Sequence, residues 1–223
     1  MSETDIERLE RELVEAQQRV DAVMKRRWRR RADDAFGAAV EEELAAERAL
    51  AAARGEEYAV PLDIGVRWSR GAPLPHLLSS GRRSFVAFYL EEIDPDWDGT
   101  YVRIVDPSDE SEQSLALAEF TGAVAVALGP PNDEVWDGHP LEGRGLAGYG
   151  AYVVENSRWL AQLIEINRVH EQFDPQWWQE KRHFLLVFHD ETVAAIARGI
   201  EVEPVRTSMR ALLNRAIERL WAE

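Results

Sequence analysis

The sequence predicts an α+β protein: a mostly antiparallel β-sheet body with two packed helices, preceded by an N-terminal long helix or helical hairpin of coiled-coil type. Three observations carry that reading. Composition breaks near residue 57, and everything before it lacks proline and is dense in Ala, Glu and Arg, a strong helical bias. After the break, short apolar runs alternate with Pro- and Gly-bearing turns. Those runs lack the regular strand–helix alternation of a doubly wound fold. The chain therefore divides into a helical arm, 1–57, and a globular body, 58–223.

In the arm, Ile6, Leu9, Leu13, Ala16, Val20 and Val23 recur at alternating spacings of three and four, the spacing of a helix-packing seam. The next seam positions fall on Arg27 and Arg30, inside KRRWRRR (25–31), so the register fails there. A second apolar stripe opens at Phe36 and continues through Ala39, Val40 and Leu44. Two arrangements satisfy this pattern: one helix of about fifty residues, or an αα-hairpin turning near 31–34. In the hairpin each half starts acidic and ends basic, as the helix dipole favours, but no Gly or Pro marks the turn.

The body opens with an extended segment at 58–68 and a Pro-punctuated loop at 70–78. SFVAFYL (84–90) has the length and aromatic content of a strand buried on both faces. An Asp-Gly turn and strand follow at 94–105. SLALAEF (114–120) and GAVAVAL (122–128) then read as a tight hairpin joined by Thr121 and Gly122. A long loop, 129–150, precedes a strand at 150–155. Asn156 or Ser157 caps a helix to about His170, with Trp159, Leu160, Leu163, Ile164 and Asn167 on one face. Past Trp177 and Trp178, HFLLVFH (183–189) is a strand whose hairpin partner returns through 190–205 and leaves the sheet at Pro204. A helix capped by Thr207 or Ser208 closes the chain, with Met209, Leu212, Leu213, Ala216, Ile217, Leu220 and Trp221 as its stripe. That gives six to eight strands.

Composition bounds function. Net charge is −15, which favours solubility and argues against nucleic acid as a partner. The KRRWRRR run is the one feature pointing the other way, with Trp28 available to stack, but acids outnumber bases over 1–57 despite it. Absent cysteine excludes disulfides, thiolate catalysis and Cys-ligated zinc. A charged N-terminus and the lack of any long apolar window predict a cytoplasmic protein with no membrane partner.

No standard catalytic or cofactor motif occurs, so no cofactor is predicted. The loop GPPNDEVWDGHPLEGRGLAGYG (129–150) concentrates the remaining candidates, Asp133, Glu134 and His139. His183 and His189 lie six apart on one strand, hence on one face, and His189 runs into Asp190 and Glu191. If the loop folds over that strand end, His139 and His189 could hold a divalent metal with Asp133 or Glu134, the spare carboxylate serving as general base. The opposing reading assigns Pro130, Pro131, Asn132 and Asp133 to turn formation and His183 to a structural role. Trp136 and Trp177-Trp178 plug the core edge or anchor a partner, and Trp159 belongs to the core.

GPPNDEVWDGHPLEGRGLAGYGAYVVENSRWL (129–160), INRVH (166–170) and HFLLVFHDETVAAIA (183–197) resemble a family of uncharacterised bacterial proteins. Its pattern is Gly-x-Pro-Asn-Asp-Glu, His-Pro-Leu, Gly-Leu and Tyr-Gly, then Asn-Ser-x-Trp, Asn-x-Val-His and His-(apolar)-Phe-His-Asp. GAPLPHLL (71–78) and FVAFYL (85–90) fit its upstream part, so the resemblance spans 58–203. It implies no activity. Where the pattern continues His-Asp into Ser-Thr-Phe-Glu, this chain has Glu191-Thr192-Val193-Ala194, which removes a carboxylate.

The functional expectation is an interaction or accessory protein that associates with itself or a protein partner through 1–57, with an inhibitor or immunity type against a basic target among the roles that fit. The alternative is a metal-assisted hydrolase using His139, His189 and Asp133 or Glu134, with Asp190 also a candidate.

Overall fold

The computed structural model describes residues 3–27, 33–81, 83–92 and 105–221. The strand expected at 94–105 and the centre of the basic run lie outside these. No helix among the described residues is long and apolar enough to cross a membrane.

The arm is a hairpin. Helices α1 (Glu3–Arg27) and α2 (Asp33–Arg54) pack together antiparallel. Arg19 grips Glu42 through two bonds of 2.8 Å, and Arg54 reaches Glu10 at 2.6 Å. The α1 seam is the face that packs: Ala16 and Val20 are buried, and Ile6, Leu9, Leu13 and Val23 are half-buried amid exposed neighbours. Ala39, Leu50 and Ala51 are the buried apolar positions of α2.

The body is α+β, as the sequence predicts, with nine strands among the described residues in two antiparallel sheets. The strands are β1 (Tyr58–Pro61), β2 (His76–Ser79), β3 (Ser84–Tyr89), β4 (Gln113–Thr121), β5 (Ala125–Gly129), β6 (Ala151–Glu155), β7 (Arg182–Val187), β8 (Thr192–Ala197) and β9 (Gly199–Thr207). One sheet runs β1-β6-β7-β8-β5 and the other β2-β3-β4-β9. Alternation sends Val86, Phe88, Ala116, Ala118 and Phe120 from one sheet against Val153, Phe184, Leu186, Val193 and Ala195 from the other, forming the core between them. Trp68, Phe88 and Phe188 close one part of it in mutual ring contact, with centroids 4.9–5.7 Å apart. β3 is buried along its whole length because α5 (Met209–Trp221) covers its other face with Met209, Leu212 and Ala216. Ser208 caps α5, its Oγ accepting from Ala211 N–H.

Two connections differ from the sequence reading. β4 and β5 do not form a hairpin: β4 pairs with β3 and β9, and β5 pairs with β8 in the other sheet. Thr121 and Gly122 are a corner between sheets, with Gly122 at φ 59. The return path likewise changes sheets at Arg198, whose N–H donates to Thr121 O at 2.9 Å. Pro204 therefore lies within β9, opposite Ala116, and the chain does not leave the sheet there. β9 is an edge strand, where a residue without N–H costs no ladder bond.

α3 (Arg158–Asn167) packs beside β7 of the five-stranded sheet, and the short α4 (Pro175–Gln179) precedes that strand, so the described residues of the body hold three α-helices where two were expected. Ser157 caps α3, accepting from Leu160 N–H at 3.1 Å. The outer face of the same sheet is covered elsewhere by the 129–150 loop, where Leu141 and Leu146 pack on Tyr152, Val154, Leu185 and Val187. The arm docks on this loop: Gly145 N–H donates to the buried Glu47 carboxylate at 2.9 Å, and Arg144 Nε lies 3.4 Å from Glu56 Oε2.

Candidate functional site

The loop 129–150 sends its candidate residues to two different places. After Pro130-Pro131 the chain forms a 3-10 helix, Asp133–Gly138, in which Val135 departs from helical geometry. The kink breaks the local register, so Asp133 and His139 take different partners.

Asp133 meets His189. β7 ends at Val187, and Phe188 N–H donates to Glu191 O, which leaves His189 and Asp190 at the tip of the β7–β8 turn. His189 Nε2 lies 3.6 Å from Asp133 Oδ2, and its Nδ1 lies 2.9 Å from Asp190 Oδ1. The bond to Asp190 and the nearby charges of Asp133, Asp190 and Glu134 raise the His189 pKa above its ordinary value. Tyr149 completes the group, donating its hydroxyl to Asp133 Oδ2 at 2.6 Å. That bond pushes the phenol pKa up to about 12, so it donates without ionising. Tyr149 holds φ 57, an uncommon conformation for a bulky residue and a local strain the surroundings must enforce. Asp133 thus spends its carboxylate on Tyr149 and His189, while Asn132 makes no side-chain cap bond to the helix it precedes. Glu134 is exposed and adds only its field.

His139 belongs elsewhere. It stacks on Trp136 with centroids 5.1 Å apart, and its Nδ1 accepts from Leu141 N–H at 3.0 Å. Burial lowers its pKa, so the ring is neutral with its proton on Nε2 and has no lone pair to give a metal. Its titratable neighbour is His183, not His189. Among the described residues no three His, Asp or Glu side chains converge as a metal site. The arrangement expected of a hydrolytic metal centre, with His139 beside His189, is therefore not assembled.

Two residues outside the predicted set emerge. Ser157 Oγ lies 2.9 Å from His183 Nδ1, and Trp159 packs edge-on to the His183 ring at 5.2 Å. His183 Nε2 is buried without a partner. Ser157 was legible only as a helix cap, and a His pairing with the cap of a neighbouring helix leaves no spacing signal. Burial, with His139 adding to it, depresses the His183 pKa to about 4.

This depression has a measurable consequence. A histidine whose folded pKa lies below its unfolded value destabilises the fold as pH falls from about 6.5 toward that folded value. From pH 7 to pH 5 the protein should lose about 2 kcal/mol more than its His183→Gln variant in urea denaturation. Equal losses in the two proteins would show that His183 is not held neutral.

Glu57 stands at the entrance to the same region, accepting from Arg158 N–H at 2.6 Å. Trp177 is exposed and Trp178 buried, with Lys181 Nζ 3.8 Å above the Trp177 ring. Comparison with known proteins finds no family model, no curated protein and no solved structure that matches this chain.

Proposed function

We infer that the protein acts by binding a protein partner, through the α3–α4 surface of its body. The observation that supports this is the state of α3. Its stripe of Trp159, Leu160, Leu163 and Ile164 is amphipathic, yet none of its residues is buried. A helix of ten residues draws its stability from tertiary packing, and this one packs only partly within its own chain. Beyond the stripe, Ile166, Val169 and Trp177 are 60%, 89% and 43% exposed. Trp177 also lines, with Leu163, Phe173 and Trp178, a concavity of about 440 Å³. Clustered apolar side chains around a hollow are the anatomy of a contact surface.

The arm contributes less than its periodicity suggests, because the α1 seam already packs on α2 within one chain. A net charge of −15 opposes close approach of two copies and favours a basic protein. An inhibitor- or immunity-type role fits this combination of acidic body and apolar anchor.

The test is site-specific photo-crosslinking of the full chain in cells, with the reactive group at position 169 and, as control, at Glu12 on α1. A basic partner captured from 169 alone, and bound at least about tenfold more weakly by the Ile166→Asp/Val169→Asp variant, supports the reading. Both positions are exposed, so the variant should melt as wild type does. Cross-links only between copies, or undiminished partner binding by the variant, would refute it.

A further inference from the structure

The trough beside His139 and His183 lies on the outer face of the five-stranded sheet, apart from the α3–α4 hollow, and has a volume of about 420 Å³. Ala127, Leu185 and Ala194 form its floor, Pro131 and His139 its loop wall, and Trp159 its α3 wall. Volumes of this order suit small molecules. The two alanines of the floor leave that space open, whereas the loop fills the neighbouring part of the face with Leu141 and Leu146.

Hydrogen bonding fixes what the histidines can offer. His139 Nδ1 accepts from Leu141 N–H, which places the proton of the neutral ring on Nε2, and that atom has no protein partner among the described residues. Ser157 Oγ accepts from Leu160 N–H, and among the described residues the one acceptor in reach of its own hydrogen is His183 Nδ1. That assignment puts the His183 proton on Nε2 too, where it is buried and unpaired. A buried donor left unpaired is costly and calls for a partner that no described residue supplies. Both rings are uncharged, so neither attracts an anion, and the Glu57 carboxylate at the margin is taken up by Arg158, through its N–H and its guanidinium. Two donors give nothing to a cation. The remaining complement is a neutral acceptor.

We propose that this trough binds a small, uncharged, apolar molecule bearing a carbonyl, such as an aromatic amide or ester, whose oxygen accepts from His139 Nε2–H. His183 lines the same trough, and its unpaired Nε2–H is the second donor on offer there. This site is independent of the protein-binding surface and stands or falls separately from it.

Three probes of one shape and different charge decide it: benzamide, benzoate and benzylammonium, titrated into the full chain while the imidazole nitrogens are followed by NMR. Benzamide should shift His139 and His183, leave His170 and His189 unmoved, and bind at least about tenfold more tightly than the two ions. His139→Phe should lose about tenfold in benzamide affinity, and His139→Gln, which keeps an N–H donor, should recover most of it. Ala194→Leu fills the floor and should block the probe while leaving the resonances of the free protein's histidines in place. Equal binding of all three probes, no binding up to the solubility limit, or undiminished binding by both His139→Phe and Ala194→Leu overturns the proposal.

Discussion

Gly145→Ala is expected to lower stability by about 3 kcal/mol and to loosen the helical hairpin from the sandwich. Gly145 sits at φ 82, where a side chain is strained whatever the space, and the space is also missing. An added Cβ would lie 2.8 Å from Ala59 O and closer still to the Arg48 side chain. Arg48 could turn aside, but Ala59 O belongs to β1, whose Ala59 N–H is bound to Arg144 O. Shifting the loop instead breaks the bond from Gly145 N–H to Glu47, stranding a carboxylate only 9% exposed. Gly143→Ala provides the control, because Gly143 also has positive φ, 67, but nothing within 4 Å of an added Cβ. It should cost about 1 kcal/mol, so the difference between the two variants isolates arm docking. Urea denaturation measures the free energies, and amide exchange at Gly145, whose N–H is bound to Glu47, shows whether the arm detaches. Equal costs for the two glycines would mean that the loop absorbs the extra atom and docking is soft.

That anchorage bears on how the arm was read from sequence. The seam at Ile6, Leu9, Leu13, Ala16, Val20 and Val23 was legible because packing of two helices imposes its own period. Whether its partner is α2 or another chain is a long-range matter the period does not encode. The same limit governed the strands. SFVAFYL and the α5 stripe were plain because burial on defined faces leaves local patterns. Thr121-Gly122 and Arg198-Gly199 resemble hairpin turns locally, yet both are corners between sheets, since pairing far along the chain decides which sheet a strand joins. In the candidate site, Asp133 with His189 and Asp190 followed from the loop's position over the strand end. The separation of His139 did not, because it depends on the Val135 kink, to which composition gives no clue. Tyr149 was hidden for a related reason: its role rests on a positive φ beside Gly150, and tyrosine gives no warning of that conformation.

Phe188→Ala should cost about 4 kcal/mol, the largest loss expected of a single core truncation here. Phe188 is 1% exposed, with its ring 4.9 Å from Trp68 and 5.3 Å from Phe88. Trp68 and Phe88 belong to the side of the core opposite β7, so Phe188 joins the two sheets where the β7–β8 turn emerges. Its removal takes away the transfer energy of a buried ring, the edge contacts among three aromatics, and the filling of a space that rigid strands cannot close. Phe188→Leu, which keeps most of the volume, should lose about 1–2 kcal/mol. The residue also precedes His189, so the core is coupled through one turn to the latch that Tyr149, Asp133 and His189 form between loop and turn. Relaxing the turn should lengthen the contact from His189 to Asp133 and free the Tyr149 hydroxyl, lowering the His189 pKa toward its ordinary value. NMR titration of His189 in Phe188→Leu, a variant mild enough to stay folded, reads that coupling directly. A titration curve identical to wild type would show that the latch is held by the loop alone. A displaced one would show that the sandwich core positions it.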